Sequence, residues 1–403
     1  MLRVPIDKIE AGMVLARPIL SPHDERQFLL QRDREVPVDL IPRLKQLNIY
    51  EVWVRHRDLE FLEDVFDEGL GDRQRDVYRQ VRRNFENIMG GAAAEIDVHH
   101  FEKSIASLFD FLKHSTTGNV LLQKLDAFDN YLMSHSTNVC YLALLLGMKV
   151  DRYLIDERMF KSPREAKDLQ ALGLGCLLHD VGKMHVPQNI LNKPHPLTAE
   201  EMEVMKLHPT FGYEMVKGRV PATAAEVVLN HHQRYCGGGY PARVNRRTGE
   251  TMPALSGKQI SVFSRIATIC DIYDAATTNR VYQKAKLPVQ VLYEMRNQCQ
   301  AFFDPQIANA FYQIIPPFPI GQSVTLSNGV EAVVVDFNAQ RPCTPKVQGL
   351  YDPYGDRYAD SSAEEIDLAL HTDLQIAYVD DVDVRPFISA DQIAESSEKL
   401  VLV

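Results

Sequence analysis

The sequence predicts a mainly α protein, in which an all-helical core is flanked by a small α+β module and a small β-rich module. In the middle of the chain, from about residue 120 to 315, apolar residues recur at helical spacing, as at Leu121, Leu125 and Phe128. Further along, an Asn-Gly pair at 328–329 separates two short apolar runs, which is the pattern of a β-hairpin. The chain is therefore expected to be helical in its centre and β-structured towards its end.

The element pattern changes at three places along the chain. The first segment alternates in short apolar runs, with Gly12 and Pro18 between them and a helix expected from about Val38 to Leu47. The second is strongly charged and helical, and two copies could dimerise through it. The last contains the predicted strands Ser323–Leu326 and Glu331–Asp336. In order, the segments are the α+β module (1–60), the helical connector (61–119), the helical core (120–315) and the β-rich module (316–403).

The composition is that of a soluble globular protein, with 45% hydrophobic and 24% charged residues. A formal net charge of −10 argues against binding to a nucleic acid polymer or an anionic membrane. The apolar stretch around Val139–Met148 is shorter than the roughly 20 residues that a membrane span needs. Residues 1–10 contain no signal-peptide core, and the six cysteines are scattered without C-x-x-C spacing. We therefore expect a cytoplasmic protein without membrane insertion.

Seven potential metal ligands lie in the helical core and carry the strongest functional signal of the sequence. The chain has only 13 histidines, yet five of these seven positions are histidine. Neutral imidazole and carboxylate groups are common ligands of divalent cations. A single buried histidine is more often a hydrogen-bonded core residue, but two adjacent pairs in one segment favour a metal centre. The seven residues are His135, His179, Asp180, His208, His231, His232 and Asp271.

Residues next to these ligands point to a phosphate-containing substrate. Lys183 follows the His179-Asp180 pair within one helical turn, so its ammonium group could contact a bound phosphate. The His231-His232 pair runs into three glycines and then Tyr240-Pro241, a loop whose backbone can approach a ligand closely. Tyr240 could position a base or a phosphate, or simply pack against the loop. Ligands of mixed N and O type, without cysteine, suit two divalent metals such as Fe or Mn better than a structural zinc.

With these motifs, roughly residues 120–315 resemble the HD-GYP domain, the subgroup of HD metal-dependent phosphohydrolases that hydrolyses cyclic di-GMP. Short segments in the flanks, Ile9–Ala16 and Phe318–Gly321, also resemble modules that often accompany such domains. The matching motifs are His135-Ser136-x-x-Val139, His179-Asp180-Val181-Gly182-Lys183, Pro187-x-x-Ile190-Leu191-x-Lys193-Pro194, Glu201, His208, His231-His232, Gly239-Tyr240-Pro241, Arg265-Ile266, Asp271-Ile272-Tyr273-Asp274-Ala275, Arg280 and Phe303-Asp304-Pro305.

The resemblance implies an HD-type fold and a two-metal-activated hydroxide that attacks a phosphodiester. Lys183 would stabilise phosphate charge, Arg280 would clamp the second phosphate, and Asp274 would contact the guanine edge or orient the site. The loop Gly239, Tyr240, Pro241 would complete the substrate pocket. For the metals, it implies one ion held by His135, His179, Asp180 and Asp271, and a second held by His208, His231 and His232 with Asp180 as the bridge.

The chain departs from the family pattern at a few substrate-side positions. Gln233 stands where the family usually has glutamate after the histidine pair, and Cys236 stands where it has aspartate before the glycines. Gln283 replaces a basic residue, so one phosphate contact is expected to be missing. Some family members hold a third metal through a glutamate four residues before the first histidine. That position is Tyr131 here, so two metals are expected.

Three functions are open from the sequence alone. The first is a cyclic di-GMP phosphodiesterase that yields pGpG and then GMP. The second is a low-turnover receptor that binds the cyclic dinucleotide and signals to partner proteins through its flanking modules. The third is an enzyme for another substrate, such as cyclic GMP-AMP or a nucleotide phosphate ester. Relative rates on these substrates, compared with binding affinity, would separate the three.

Overall fold

The computed structural model describes residues 1–21, 27–47, 49–65, 75–83, 98–114, 131–245, 247–279, 285–297, 300–358 and 365–388. The described residues up to Val54 form a small module. It has two antiparallel strand pairs, β1 with β4 and β2 with β3, and one helix beside them. Its own apolar core includes the fully buried Leu15 and Leu44. The expected helix near residues 38–47 is confirmed. The elements are β1 (Leu2–Pro5), β2 (Ile19–Leu20), β3 (Phe28–Leu30), α1 (Leu40–Gln46) and β4 (Glu51–Val54).

The described part of the connector packs on the rest of the protein. Phe101, Ile105 and Leu108 have no exposed surface, and they belong to the same hydrophobic cluster as the helical core. The apolar face of this helix is therefore buried within the chain, and dimerisation through the connector stays a prediction. The connector elements are α2 (Leu62–Val65), α3 (residues 75–83) and α4 (Val98–His114).

The core is a bundle of helices around α5, α8, α12 and α13. Helix α5 packs against α8 and α13, and α8 packs against α12, so these four helices surround a common centre. Among the described residues, no helix is both long and apolar enough to cross a membrane. The core helices are α5 (Tyr131–Lys149), α6 (Asp151–Glu157), α7 (Pro163–Ala166), α8 (Gln170–Leu178), α9 (Gln188–Leu191), α10 (Ala199–Met205), α11 (His208–Val216), α12 (Ala222–Asn230), α13 (Val262–Thr277), α14 (Pro288–Asn297) and α15 (Pro305–Ile314).

Two segments between the core helices contain short elements of regular structure. A short 3-10 helix, Val181–His185, and then α9 follow the His179-Asp180 pair. A two-stranded hairpin, β5 (Arg243–Val244) with β6 (Thr251–Met252), lies in the segment after Pro241. Both hairpin strands are only two residues long, which is too short for an alternation of apolar and polar residues to be recognised.

The last module is a six-stranded antiparallel sheet with the order β10-β9-β8-β7-β11-β12. The hairpin expected around the Asn-Gly pair is confirmed, since β7 and β8 pair on either side of it and Gly329 has φ 88°. Trp53 of the first module packs on Gly321, and Arg357 forms an ion pair of 2.5 Å with Asp58. The two end modules therefore contact each other. The strands are β7 (Ser323–Leu326), β8 (Glu331–Asp336), β9 (Lys346–Tyr351), β10 (Glu365–Asp367), β11 (Ile376–Val379) and β12 (Val382–Asp383).

Candidate metal centre

The seven predicted ligands converge on one site, and most of them are delivered by helix ends. Apolar helix α8 ends at His179, and Asp180 follows directly. Helix α12 ends at His231, with His232 next in the chain, while His208 is the first residue of α11. Helices that end at the same place bring their side chains together from several directions. His135 and Asp271 complete the set from the interiors of α5 and α13.

Gly182 explains how α11 comes close enough to contribute His208. A Cβ atom at this glycine would lie 1.9 Å from the carbonyl oxygen of His208 and 2.4 Å from the backbone nitrogen of Gly212. Any side chain here would therefore push the two segments apart. The glycine that follows the His179-Asp180 pair is required by the close approach of two backbones, and this approach brings His208 to the site.

Asp180 lies at the centre of the cluster. Its Oδ1 is 3.2 Å from His208 Nε2 and 3.9 Å from His231 Nε2. Its Oδ2 is 3.4 Å from His179 Nε2 and 3.7 Å from His135 Nε2. The two oxygens of this one carboxylate thus face two different pairs of histidines.

Asp271 is the second carboxylate, and it faces the cluster from α13. Its Oδ1 lies 3.0 Å from His135 Nε2 and 3.8 Å from His179 Nε2, while its Oδ2 lies 3.6 Å from His232 Nδ1. The ring of His232 in turn lies 4.1 Å, between centroids, from that of His231. Both carboxylates are therefore within a few ångströms of several imidazoles.

Three of the histidines form the same kind of hydrogen bond with the backbone. The Nδ1 atoms of His179, His208 and His231 each lie 2.7 to 2.9 Å from the carbonyl oxygen three residues earlier. These carbonyls belong to Cys176, Met205 and Val228. A carbonyl can only accept, so Nδ1 carries the proton and donates, and the lone pair is on Nε2. The helix-end backbone thereby fixes the tautomer in which Nε2 can bind a metal.

Asp274 lies behind His135. It is 1% exposed, its Oδ2 is 2.8 Å from His135 Nδ1, and Thr278 Oγ1 donates to its other oxygen over 3.3 Å. The sequence suggested that Asp274 would contact the guanine edge or orient the site. In the structure both of its carboxylate oxygens face neighbouring side chains, which corresponds to the second of these two roles.

The electrostatics of the cluster favour charged carboxylates. Burial opposes the charged form of Asp180, but the nearby His179 and Lys183 outweigh it and hold its pKa well below the usual range. Burial likewise opposes the charge of Asp271, and the hydrogen bond with His135 outweighs it, so its pKa is also well below the usual range. Two anions are therefore held in the centre of the site.

The histidines divide into two electrostatic classes. Burial lowers the pKa of His231 far below its usual value, and burial also lowers the pKa of His232 to about 3. These two rings are neutral, which is the form that binds a metal. Burial also disfavours the charged form of His135, but its hydrogen bonds with Asp271 and Asp274 outweigh burial and raise its pKa to about 9.

The donor set is compatible with metal ions. Within the described residues, His179 Nε2 and Asp180 Oδ1 are buried and have no hydrogen-bond partner of proper geometry. Buried polar atoms are nearly always paired, so such atoms at the centre of a cluster fit a bound cation. Three overlapping sets have ligand atoms within 4.8 Å of one another: Asp180, His208, His231 and His232; His135, His179 and Asp180; and His179, His231 and Asp271.

Lys183 and the glycine loop border the cluster. The Nζ atom of Lys183 is 2.5 Å from Asp180 Oδ2, so this ammonium group neutralises the central carboxylate. The ring of Tyr240 stacks on His232, with centroids 4.5 Å apart and an angle of 29° between the planes. Arg280 and Gln283 lie outside the described residues. Lys183 and the loop that contains Gly239, Tyr240 and Pro241 thus lie beside the proposed metal ligands.

A second buried ionic network lies in the same core and had no assigned role from sequence. Arg265 contacts Asp304 and Glu157, and its Nη1 donates to the hydroxyl of Tyr153 over 3.0 Å. Asp304 also accepts from the backbone of Gln306 and so caps α15. The motif residues Arg265 and Asp304 therefore join α6, α13 and α15, which fixes the helix that carries Asp271.

Two family models match parts of this chain. The family model of the HD domain matches residues 159–307, and that of the KOW domain associated with HD domains matches residues 323–384. A cyclic di-GMP phosphodiesterase of Pseudomonas aeruginosa is 32% identical over 255 residues, which is 63% of this chain and 56% of the relative. A 3'3'-cGAMP-specific phosphodiesterase of Vibrio cholerae is 34% identical over 133 residues, 32% of this chain and 23% of that protein.

One solved structure covers most of the chain. The HDG"Y"P protein from Bdellovibrio bacteriovorus aligns with 77% of this chain and 97% of its own, at a TM-score of 0.46 and 15% identity. The aligned segment spans only about half the length of the Pseudomonas relative, at 56%. Together, the HD-domain match, which includes six of the seven ligands but not His135, and the relatives named as cyclic dinucleotide phosphodiesterases lead to one conclusion: this chain carries an HD-GYP domain.

Proposed function

We propose that this chain is a metal-dependent phosphodiesterase that opens cyclic di-GMP to pGpG and then to GMP. The observation that carries the proposal is the convergence of five histidines and two aspartates on one buried centre around Asp180. The cyclic di-GMP phosphodiesterase of Pseudomonas aeruginosa, 32% identical over 255 residues, supports the choice of substrate. The site would thus act on a phosphodiester of a cyclic dinucleotide.

Two divalent ions, with iron or manganese as the preferred metals, are part of the proposal. His135, His179, Asp180 and Asp271 would hold one ion, and His208, His231 and His232 would hold the other. Asp180 would bridge them, since its Oδ1 faces His208 and His231 whereas its Oδ2 faces His135 and His179. Nitrogen and oxygen ligands of this mixture suit such metals.

The chain's own residues would prepare the phosphodiester for attack. When bound, divalent cations supply an activated water and polarise the phosphoryl oxygens. Lys183 would turn from the Asp180 carboxylate, 2.5 Å away, to a phosphate oxygen of the substrate. Arg280 would bind the second phosphate, and Gly239, Tyr240 and Pro241 would border the base. Asp274 would keep the ring of His135 oriented.

A product assay tests the proposal. Full-length protein loaded with Mn²⁺ or, without oxygen, with Fe²⁺ is incubated with cyclic di-GMP, and products are separated by chromatography. The expected result is pGpG, followed by GMP on longer incubation. Tight binding of cyclic di-GMP by calorimetry with no product under any metal load would show a receptor and refute the enzyme proposal.

A second substrate is favoured by one comparison. The Vibrio relative with 34% identity over 133 residues is named as specific for 3'3'-cGAMP. The two cyclic dinucleotides differ in one base, so the residues that contact the base decide between them. Initial rates on both substrates with the same metal load measure this preference, and a higher kcat/KM for 3'3'-cGAMP would replace cyclic di-GMP as the proposed substrate.

A further inference from the structure

The loop of residues 237–241 folds back directly on the backbone that follows the histidine pair. A Cβ atom at Gly239 would lie 2.5 Å from the carbonyl oxygen of His232 and 2.6 Å from the backbone nitrogen of Arg234. The backbone N–H of Tyr240 donates to the same His232 carbonyl over 3.2 Å. The position of this loop is therefore coupled to the backbone of a proposed metal ligand.

Gln233 forms a side-chain connection across this fold. Its side chain is almost fully buried, at 2% exposure, and its Nε2 donates to the carbonyl oxygen of Pro241 over 2.8 Å. Its own backbone N–H donates to the carbonyl of Asn230 at the end of α12. One residue thus joins the helix end that carries His231 to the far end of the loop.

A hydrogen-bond donor is required at this place. The Pro241 carbonyl can only accept, and the amide nitrogen of glutamine supplies the donor. An ionised glutamate at position 233 would place a carboxylate oxygen, which can only accept, against the Pro241 carbonyl oxygen. The partly buried carbonyl would then have no donor. The glutamine that the sequence marks as a departure from the family pattern therefore has a defined role in the geometry of this chain.

The loop carries Tyr240, whose ring lies on His232 at 4.5 Å between centroids and 6.4 Å from the ring of His208. A shift of the loop would therefore move Tyr240 relative to His232 and His208, two of the three histidines proposed to hold the second metal. The histidines have their own fixed partners, since His208 and His231 bond to backbone carbonyls of their own helix ends. Movement of the loop of residues 237–241 would thus change the position of Tyr240 more than it changed metal binding.

We propose that Gln233 is a positioning residue, which holds the loop of residues 237–241 closed on His232 and so keeps Tyr240 in place for the cyclic dinucleotide. The substrate part of this inference rests on the proposed function. Its structural part, that the amide donor holds the loop, does not depend on it. Gln233 acts through Pro241 and Tyr240 and makes no contact with the reacting atoms.

Two substitutions of Gln233 by residues of similar size distinguish the effect of losing the hydrogen-bond donor from the effect of adding a charge. Gln233→Glu removes the donor and adds a negative charge, whereas Gln233→Met removes the donor and adds none. Gln375→Met, at an exposed glutamine in the last module, is the matched control. Each full-length variant is loaded with Mn²⁺ and compared by hydrogen–deuterium exchange of the peptide 234–242, by metal content and by steady-state kinetics on cyclic di-GMP.

Both Gln233 variants should exchange the Tyr240 amide faster and raise KM about tenfold, the scale of one lost hydrogen bond that leaves a partner unpaired. Their kcat and metal content should stay within about twofold of the wild type. Native exchange and native KM in Gln233→Met would overturn the inference, and so would a loss of metal and kcat equal to the rise in KM. A wild-type protein without turnover would refute the proposed function, whereas the exchange comparison would still decide the role of Gln233.

Discussion

His135 contacts two aspartates of the same helix, one through each ring nitrogen. Its Nε2 lies 3.0 Å from Asp271 Oδ1, and its Nδ1 lies 2.8 Å from Asp274 Oδ2. The aspartates are three residues apart on α13, so both carboxylates are on the face that meets α5. Asp274 thereby orients the ring so that Nε2 points towards the cluster, which is the arrangement of a metal-binding histidine supported by a carboxylate.

Loss of the Asp274 charge should weaken metal binding. Asp274→Asn keeps the size of the side chain but removes the anion that makes the His135 ring a stronger ligand. We expect metal affinity to fall about 10- to 100-fold, the usual effect of removing such a partner. Titration of the metal-free protein with Mn²⁺, followed by calorimetry, measures it. Asp156→Asn, at an exposed position on α6, should leave the affinity unchanged. Equal affinities in the two variants would show that Asp274 does not support a ligand.

The bridging role of Asp180 makes it the most sensitive position. Asp180→Asn loses one anionic oxygen, and the two histidine pairs then have no shared carboxylate between them. We expect metal content to drop from two ions per chain to one or none, and turnover to fall by at least about 100-fold. Elemental analysis and the product assay on one preparation measure both. A variant that keeps two ions and the full rate would refute the bridge.

Gly182→Ala should move His208, a proposed ligand of the second metal, away from Asp180. The new methyl group would lie 1.9 Å from the His208 carbonyl, so α11 must shift and carry His208 away from Asp180. We expect loss of one of the two metals, and a free energy of unfolding lower by about 1–3 kcal/mol from overpacking. Gly249→Ala, in the exposed β5–β6 hairpin, tests for a general effect of the substitution. Unchanged metal content in Gly182→Ala would contradict the role of this close approach.

The metal-free protein should lose stability as the pH falls from about 6.5 to 4.5. The pKa values of His231 and His232 are lowered in the folded state, to about 3 for His232, from an ordinary value of 6.5. The unfolded chain therefore takes up protons in this range while the folded protein does not. The free energy of unfolding should drop by about 1.4 kcal/mol per pH unit for each such histidine.

His135 should act in the opposite direction above this range. Its folded pKa of about 9 exceeds 6.5, so its contribution is complete below about pH 6.5 and is lost as the pH rises through 9. Urea unfolding of the metal-free protein across pH 4.5 to 9.5 should therefore show a maximum near pH 6.5. His232→Asn should flatten the acid side, and an unchanged acid slope in this variant would show that His232 is not held neutral.

The sequence predicted the helical centre, the β7–β8 hairpin and the convergence of the seven ligands, because each rests on local patterns. An Asn-Gly pair between apolar runs determines its own turn, and His-Asp and His-His pairs at apolar helix ends have few structural explanations. The position of Gly182 against His208 depends on a long-range approach of two backbones, so its role could not be predicted.

Other features lacked any local signal. The Nδ1 partners of His179, His208 and His231 are backbone carbonyls, which every residue possesses. The bond between Gln233 and Pro241 depends on how the glycine loop folds back, so the sequence marked Gln233 only as a departure from a pattern. The burial of α4 depends on its contact with α8, and a charged, helical pattern did not distinguish a packed helix from a stalk.

In the proposed mechanism, hydrolysis requires a pair of metals that share Asp180. This requirement is tested most directly by adding Mn²⁺ stepwise to metal-free protein and measuring, at each step, the bound ions per chain and the rate of pGpG formation. The rate should follow occupancy of the second ion and reach its maximum at two ions per chain. Full hydrolysis at one ion per chain, or two bound ions with no hydrolysis, would contradict it.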